Sequence, residues 1–251
     1  MSISTPADLE GMRRAGRVVA AALKAMRSAV APGVTTAALD AVGEAVLAKH
    51  GAQSAPRKLY GFPGCTCISV NDEVVHGIPG TRVIAPGDIV KLDVTAECDG
   101  YIADAADTVL VPPITAEARR LRASVVAAFH AGLNSARLGA LVNGIGRAVE
   151  QRVRDDGFSV IRELCGHGVG RAIHEPPEVA NYYVPFQRDR LTDGLVLTIE
   201  PMLASRRTRP VQQADGWTIS TGNGCLSAHY EHTLIITPQG PEIVTGSTSG
   251  L

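Results

Sequence analysis

The run Pro86-Gly87-Asp88-Ile89-Val90-Lys91-Leu92-Asp93 returns later in the chain as Asp193-Gly194-Leu195-Val196-Leu197-Thr198-Ile199-Glu200. Both stretches open on a glycine turn, continue as an apolar strand and end on a carboxylate. Upstream of them, His76-Gly77-Ile78-Pro79 resembles His174-Glu175-Pro176-Pro177.

The surrounding elements repeat in the same order. A first helix is capped by Thr5, with Pro6 in its first turn and Asp8 at its positive end. Leu9, Met12, Gly16, Val19, Leu23, Met26 and Val30 form its buried stripe, and Ala31-Pro32-Gly33 stops it. A second helix opens at Thr35 or Thr36 and carries Leu39, Val42 and Val46, with Gly51 as a left-handed cap. Strands are expected at Ile89–Val94 and Thr108–Val111. After Pro112-Pro113 a helix with Leu121, Val125, Ala128 and Leu133 follows, then one over about Val142–Arg154 ended by Gly157. Strands are expected again at Phe158–Ile161, Leu195–Glu200 and Thr233–Thr237. The reading is one pseudo-symmetric α+β domain over 1–251, with helix-helix-strand halves at about 5–112 and 114–240.

The repeat makes the carboxylates informative. Asp93 and Glu200 end equivalent strands, so pseudo-symmetry brings both to the centre, where a bare carboxylate is costly. A second acid follows each: Asp104 before the strand at Thr108 and Glu231 before the strand at Leu234. Four convergent carboxylates repel unless cations neutralise them. Oxygen donors with one imidazole suit a pair of divalent ions. His167, in Gly166-His167-Gly168-Val169-Gly170, is the candidate imidazole; its glycines leave room for backbone near an ion, and strand Phe158–Ile161 is expected to deliver it.

Composition narrows the classes. In 251 residues, 45% are apolar and 20% charged, the proportions of an ordinary globular chain. Lys plus Arg number 24 against 25 Asp plus Glu, so no global field favours DNA or an anionic membrane. No apolar run approaches the roughly 20 residues of a membrane span. The start, Met1-Ser2-Ile3-Ser4-Thr5-Pro6, lacks the charged and apolar regions of a signal peptide. Five cysteines without a CxxC pair fit reduced thiols, so a cytoplasmic location is expected. Gly144-Ile145-Gly146 lacks the strand-then-helix setting of a nucleotide fingerprint. His50 and His130 read as structural helix residues, and Cys65 and Cys67 as pocket or core rather than nucleophiles.

The string also resembles the bacterial type I methionine aminopeptidases. The motifs that carry the resemblance are Ser69–Pro79, Leu92-Asp93-Val94, Asp104, Gly166–Gly170, His174-Glu175, Thr198-Ile199-Glu200-Pro201-Met202 and Tyr230-Glu231-His232-Thr233. The resemblance implies the pita-bread fold around a central antiparallel sheet and two divalent metal ions, of cobalt, manganese, iron, nickel or zinc. It places the ligands on Asp93, Asp104, His167, Glu200 and Glu231, with Asp104 and Glu231 bridging. The family commonly has Gly before its second aspartate, where this chain has Ala103; the spacing of eleven residues from Asp93 selects Asp104, with Asp107 the fallback.

Two such ions share a water and acidify it toward neutral pH. The implied chemistry is removal of the initiator methionine from nascent chains whose second residue is small. Glu200 is the expected general base, His174 the donor to the developing oxyanion, and His76 the group that holds the scissile amide. Lys58-Leu59-Tyr60-Gly61-Phe62-Pro63 stands where the family usually has Gly-Tyr-His-Gly-Tyr-Pro. Leu59 therefore replaces one pocket aromatic and Phe62 retains the other; Ile173 stands where the family often has an aromatic or a methionine, and Cys67 and Trp217 fit the pattern. A pocket of Leu59, Phe62 and Ile173 is expected to discriminate poorly against leucine or norleucine, since a methylene is worth only about 1–3 kcal/mol. The expected partner is the N-terminal peptide of nascent chains. Arg206-Arg207-Thr208-Arg209 reads as a solvated loop, with transient ribosome contact as its functional alternative, and the chain is expected to be a monomer. The competing readings are an X-Pro aminopeptidase or prolidase of the same fold, which usually carries a further N-terminal domain, and a pita-bread binding protein without catalysis.

Overall fold

A computed structural model describes residues 1–246. Helix α1 spans Pro6–Ala29 and starts in a full capping box: the Asp8 N–H donates to the Thr5 side chain, and Asp8 accepts from the Thr5 N–H. Its buried face is Met12, Ala15, Gly16, Val18, Val19, Ala22, Leu23 and Met26. Helix α2, Thr36–Lys49, is capped by Thr35 and followed by Gly51 at φ 68°, the left-handed turn its sequence predicts. Helix α4, Ala116–Ser135, and helix α5, Asn143–Asp155, form the second pair. Between the pairs, a short helix α3, Ala55–Tyr60, is capped by Ser54 and ended by left-handed Gly61. Periodicity does not reveal six residues of helix.

Nine strands, all paired antiparallel, make the main sheet. From one side, 67–70 pairs with Ile89–Cys98, which pairs with Tyr101–Leu110. From the other, Cys165–Gly168 pairs with Val196–Ile199, which pairs with Glu231–Thr237. The two series meet where Tyr101–Leu110 joins Glu231–Thr237. Corresponding strands of the repeat thus occupy mirrored places about the middle of the sheet. Helices α1 and α2 cover one apolar core that includes Met12, Met26, Leu39, Ile68 and Leu92. Helices α4 and α5 cover a second, with Leu121, Phe129, Ile145, Leu197 and Leu234.

Two expected strands differ. The strand expected at Thr108–Val111 begins at Tyr101, so Asp104 lies within it rather than before it. Ala103, Asp104, Ala105, Ala106 and Asp107 have poor strand propensity; pairing with Ile89–Cys98 across the Asp99-Gly100 turn, with φ 54° and 79°, overrides it. Ser159–Val160 does not deliver His167 either. It joins Met202–Ala204 in a small separate sheet, and His167 sits on its own strand, Cys165–Gly168.

Candidate metal centre

Strand register assembles the acids. Asp93 lies directly opposite Ala106, and Ala106 lies directly opposite Glu231. The three therefore share one face of the sheet, with the smallest side chain between two carboxylates. Asp104 is two residues from Ala106 and so joins the same face. Glu200 follows directly on Ile199, which pairs with His232, and this brings Glu200 beside Glu231. Asp107 points to the opposite face, where Arg27 (2.9 Å) and Arg122 (3.0 Å) pair with it. The fallback aspartate is thus outside the cluster.

Each donor is held by neighbours. Thr95 Oγ1 donates to Asp104 Oδ1 at 2.9 Å, while Thr233 Oγ1 accepts from the Asp104 N–H at 2.9 Å and donates to its carbonyl at 2.8 Å. Thr198 Oγ1 donates to Glu200 Oε1 at 2.7 Å and accepts from the His167 N–H at 3.0 Å. His167 Nδ1–H donates to the Gly168 carbonyl at 2.9 Å, which leaves the Nε2 lone pair 3.3 Å from Glu200 Oε1. The glycines around His167 serve the sheet rather than an ion. A Cβ at Gly166 would lie 2.7 Å from the Thr198 carbonyl oxygen, and one at Gly168 would lie 2.2 Å from that of Pro176. That corrects the sequence expectation: the room is taken by neighbouring strands.

Asp104, Glu200 and Glu231 are buried, and Asp93 is partly buried. Burial pushes Asp93, Glu200 and Glu231 well above the usual carboxylate range, and repulsion among the four acids adds to it. Asp104 rises as well, chiefly from burial. Asp93 Oδ1 and Glu231 Oε1 have no hydrogen-bond partner. Two sets of donors, Asp104–His167–Glu231 and Asp93–His229–Glu231, each offer atoms within 4.8 Å of one another. Orphaned buried oxygens and mutually repelling acids are the signature of a centre that divalent cations complete, and these residues fit such ions.

The cluster floors a cavity of about 780 Å³. Phe62, Cys67, Val75, Ile173, Met202 and Trp217 supply its apolar wall, and Phe62 meets Trp217 edge-on at 5.2 Å. Cys67 pairs directly with Asp93; burial, then that carboxylate, drives its thiol well up, so it stays a neutral apolar surface. His76 and His174 also line the cavity. Strand Glu73–Val75 leads to His76, whose own φ is 58°. The turn before that strand is clamped by Lys91, a buried side chain whose Nζ donates to the Asn71 carbonyl at 2.7 Å.

Leu59 is misplaced by the sequence comparison. It lies outside the cavity, and its neighbour Tyr60, equally exposed, lines the cavity instead. Tyr60 lies parallel to the His174 ring, and its Oη is 3.1 Å from His174 Nδ1. His229 joins the cluster unannounced by any motif, although its spacing of two from Glu231 puts both side chains on one face wherever the segment is extended.

The sequence profile of metallopeptidase family M24 matches residues 10–238. The chain belongs to this family. Among its M24 relatives, methionine aminopeptidase 2 of Bacillus subtilis is 42% identical, over 98% of this chain and 99% of its own length. The methionine aminopeptidase of Escherichia coli K12 is 38% identical, over 98% and 94%. The crystal structure of a Thermotoga maritima methionine aminopeptidase superposes with a TM-score of 0.95 at 36% identity, covering 98% of this chain and all of the other. A Pyrococcus furiosus prolidase shares the fold, with a TM-score of 0.80 at 21% identity over 98% of this chain and 66% of its own. The architecture is the pita-bread fold of these M24 enzymes.

Proposed function

We propose that this M24 enzyme is a methionine aminopeptidase that removes the initiator methionine from nascent chains with a small second residue. The observation that carries the reading is the acid cluster at the floor of a cavity with an apolar wall, beside two histidines. Asp93, Asp104, His167, Glu200 and Glu231 would hold two divalent ions. When bound, such ions offset the acids' charge, acidify water and polarise a carbonyl.

The chain's own residues do the rest. Phe62, Cys67, Ile173 and Trp217 take the methionine side chain, where sulfur–aromatic contacts are worth about 0.3–1.5 kcal/mol each. Glu200 is the general base: Thr198 occupies Oε1, and Oε2 is available for the proton of the attacking water. Where Tyr60 Oη donates to His174 Nδ1, His174 Nε2 carries the hydrogen that meets the carbonyl oxygen as it gains charge. His76 holds the scissile amide and protonates the leaving nitrogen. The substrate is the exposed N-terminus of a new chain, met in the cytoplasm by a monomer that binds neither DNA nor membrane; transient ribosome contact through Arg206–Arg209 is the alternative to a solvated loop there.

Protein stripped of metal and reloaded tests the reading. Activity on methionyl peptides should return with a divalent ion. A preference for X-Pro peptides would make it a prolidase-type enzyme, and no cleavage of either would make it a binding protein.

A further inference from the structure

His229 is among the most enclosed polar side chains of the described residues, 1% exposed, with neither ring nitrogen hydrogen-bonded. Its backbone cannot drift: the His229 N–H donates to Thr108 Oγ1 at 3.0 Å, and that hydroxyl donates back to the His229 carbonyl at 2.7 Å. Its Nε2 faces two acids, Glu231 Oε2 at 3.5 Å and Glu200 Oε2 at 3.9 Å. Both separations are too long for a good N–H···O bond. The shorter one, to Glu231, is the separation of two donors on one ion, since ligands about 2.1 Å from a common centre stand roughly 3.4 Å apart at the tetrahedral angle.

The donor sets make the same point. One imidazole, His167, goes with Asp104 and Glu231; the other, His229, goes with Asp93 and Glu231. We propose that His229 is a direct ligand of the ion held by Asp93, so that each ion of the centre carries its own imidazole and Glu231 joins the two. The proposal rests on the dinuclear reading above. A nitrogen donor at both ions moves the pair away from manganese, which favours oxygen, and toward zinc, iron and nickel.

The test is metal binding and X-ray absorption on the whole protein, loaded with zinc. Wild type at two ions should show one imidazole per zinc on average, and His229→Gln half of one. His229→Gln should bind its first ion as wild type does and its second more weakly by over about 100-fold, beyond the range seen for outer-sphere partners. Far-UV circular dichroism of the metal-free variant checks its fold, and the wild-type imidazole count needs no variant. Half an imidazole per zinc in two-ion wild type, or unchanged second-ion affinity in a folded variant, overturns the assignment of His229 alone. A wild type that never takes a second ion overturns the dinuclear reading and this assignment with it.

Discussion

Asp104 and Asp107 leave the same strand on opposite faces, and their surroundings differ accordingly. Asp104 meets Thr95 and the acid cluster; Asp107 meets Arg27 and Arg122. Asp104→Ala should abolish activity and lower bound metal, whereas Asp107→Ala should keep both ions and lose only thermal stability. Metal analysis beside a melting curve distinguishes them. His174 lines the cavity without belonging to either donor set, so His174→Ala should retain metal and lose roughly 10²–10³ in kcat, the worth of one oxyanion donor. Metal loss in that variant would make His174 a ligand. Glu231 yields a pH prediction. Burial and neighbouring acids raise its folded pKa above 4.5. Its neutral form therefore adds stability below about pH 4.5, and that stability is lost as pH climbs through the raised value. Metal-free Glu231→Gln should match metal-free wild type near pH 4 and be the more stable of the two at pH 8. Denaturant melts at the two pH values would show no crossover if Glu231 were ordinarily solvated.

At the scale of elements, legibility followed local chemistry. Helices α1 and α2 were readable because caps and apolar spacing agree with the packing they enter. The strands that end on Asp93 and Glu200 were readable as apolar runs. The strands Tyr101–Leu110 and Cys165–Gly168 were not, since alanine, aspartate and glycine become strand only through their partners. The four acids are legible because the repeat pairs them, His167 because of its glycine-flanked motif, and the resemblance adds their roles. His229 has no counterpart in the repeat, and the linear order of Leu59 and Tyr60 does not show which of them a short helix presents to the cavity. The glycines beside His167 give a test at this scale. Gly168→Ala puts a Cβ 2.2 Å from the Pro176 carbonyl oxygen, so the strand Glu175–Ala180 must move. A loss of about 1–3 kcal/mol is expected, with weaker metal binding through the displaced His167. Unchanged stability and metal affinity would mean that the sheet yields there freely.

Across the whole molecule, the acids come from opposite sides of the sheet's middle. Asp93 and Asp104 stand on strands that α1 packs against, while Glu200 directly follows a strand that α4 packs against and Glu231 begins the strand paired with it. Ions bound at the centre would therefore tie together strands from both halves of the sheet. At 100 times their dissociation constant, ions that bind the folded state alone add about 2.7 kcal/mol per site. Calorimetry should show a lower melting temperature after chelation and a split or broadened transition, restored by returning metal. An unaltered single transition would show that the cores hold together without the ions.

That arrangement bears on what a chelator would do to this protein. By removing ions that offset the buried acids, it would weaken the fold as well as block the chemistry. Heat tolerance and catalytic competence would then rest on the same binding constants. A shortage of metal would thin the population of intact molecules as well as slow each turnover, and supplying metal before heating would protect the protein where supplying it afterwards would not.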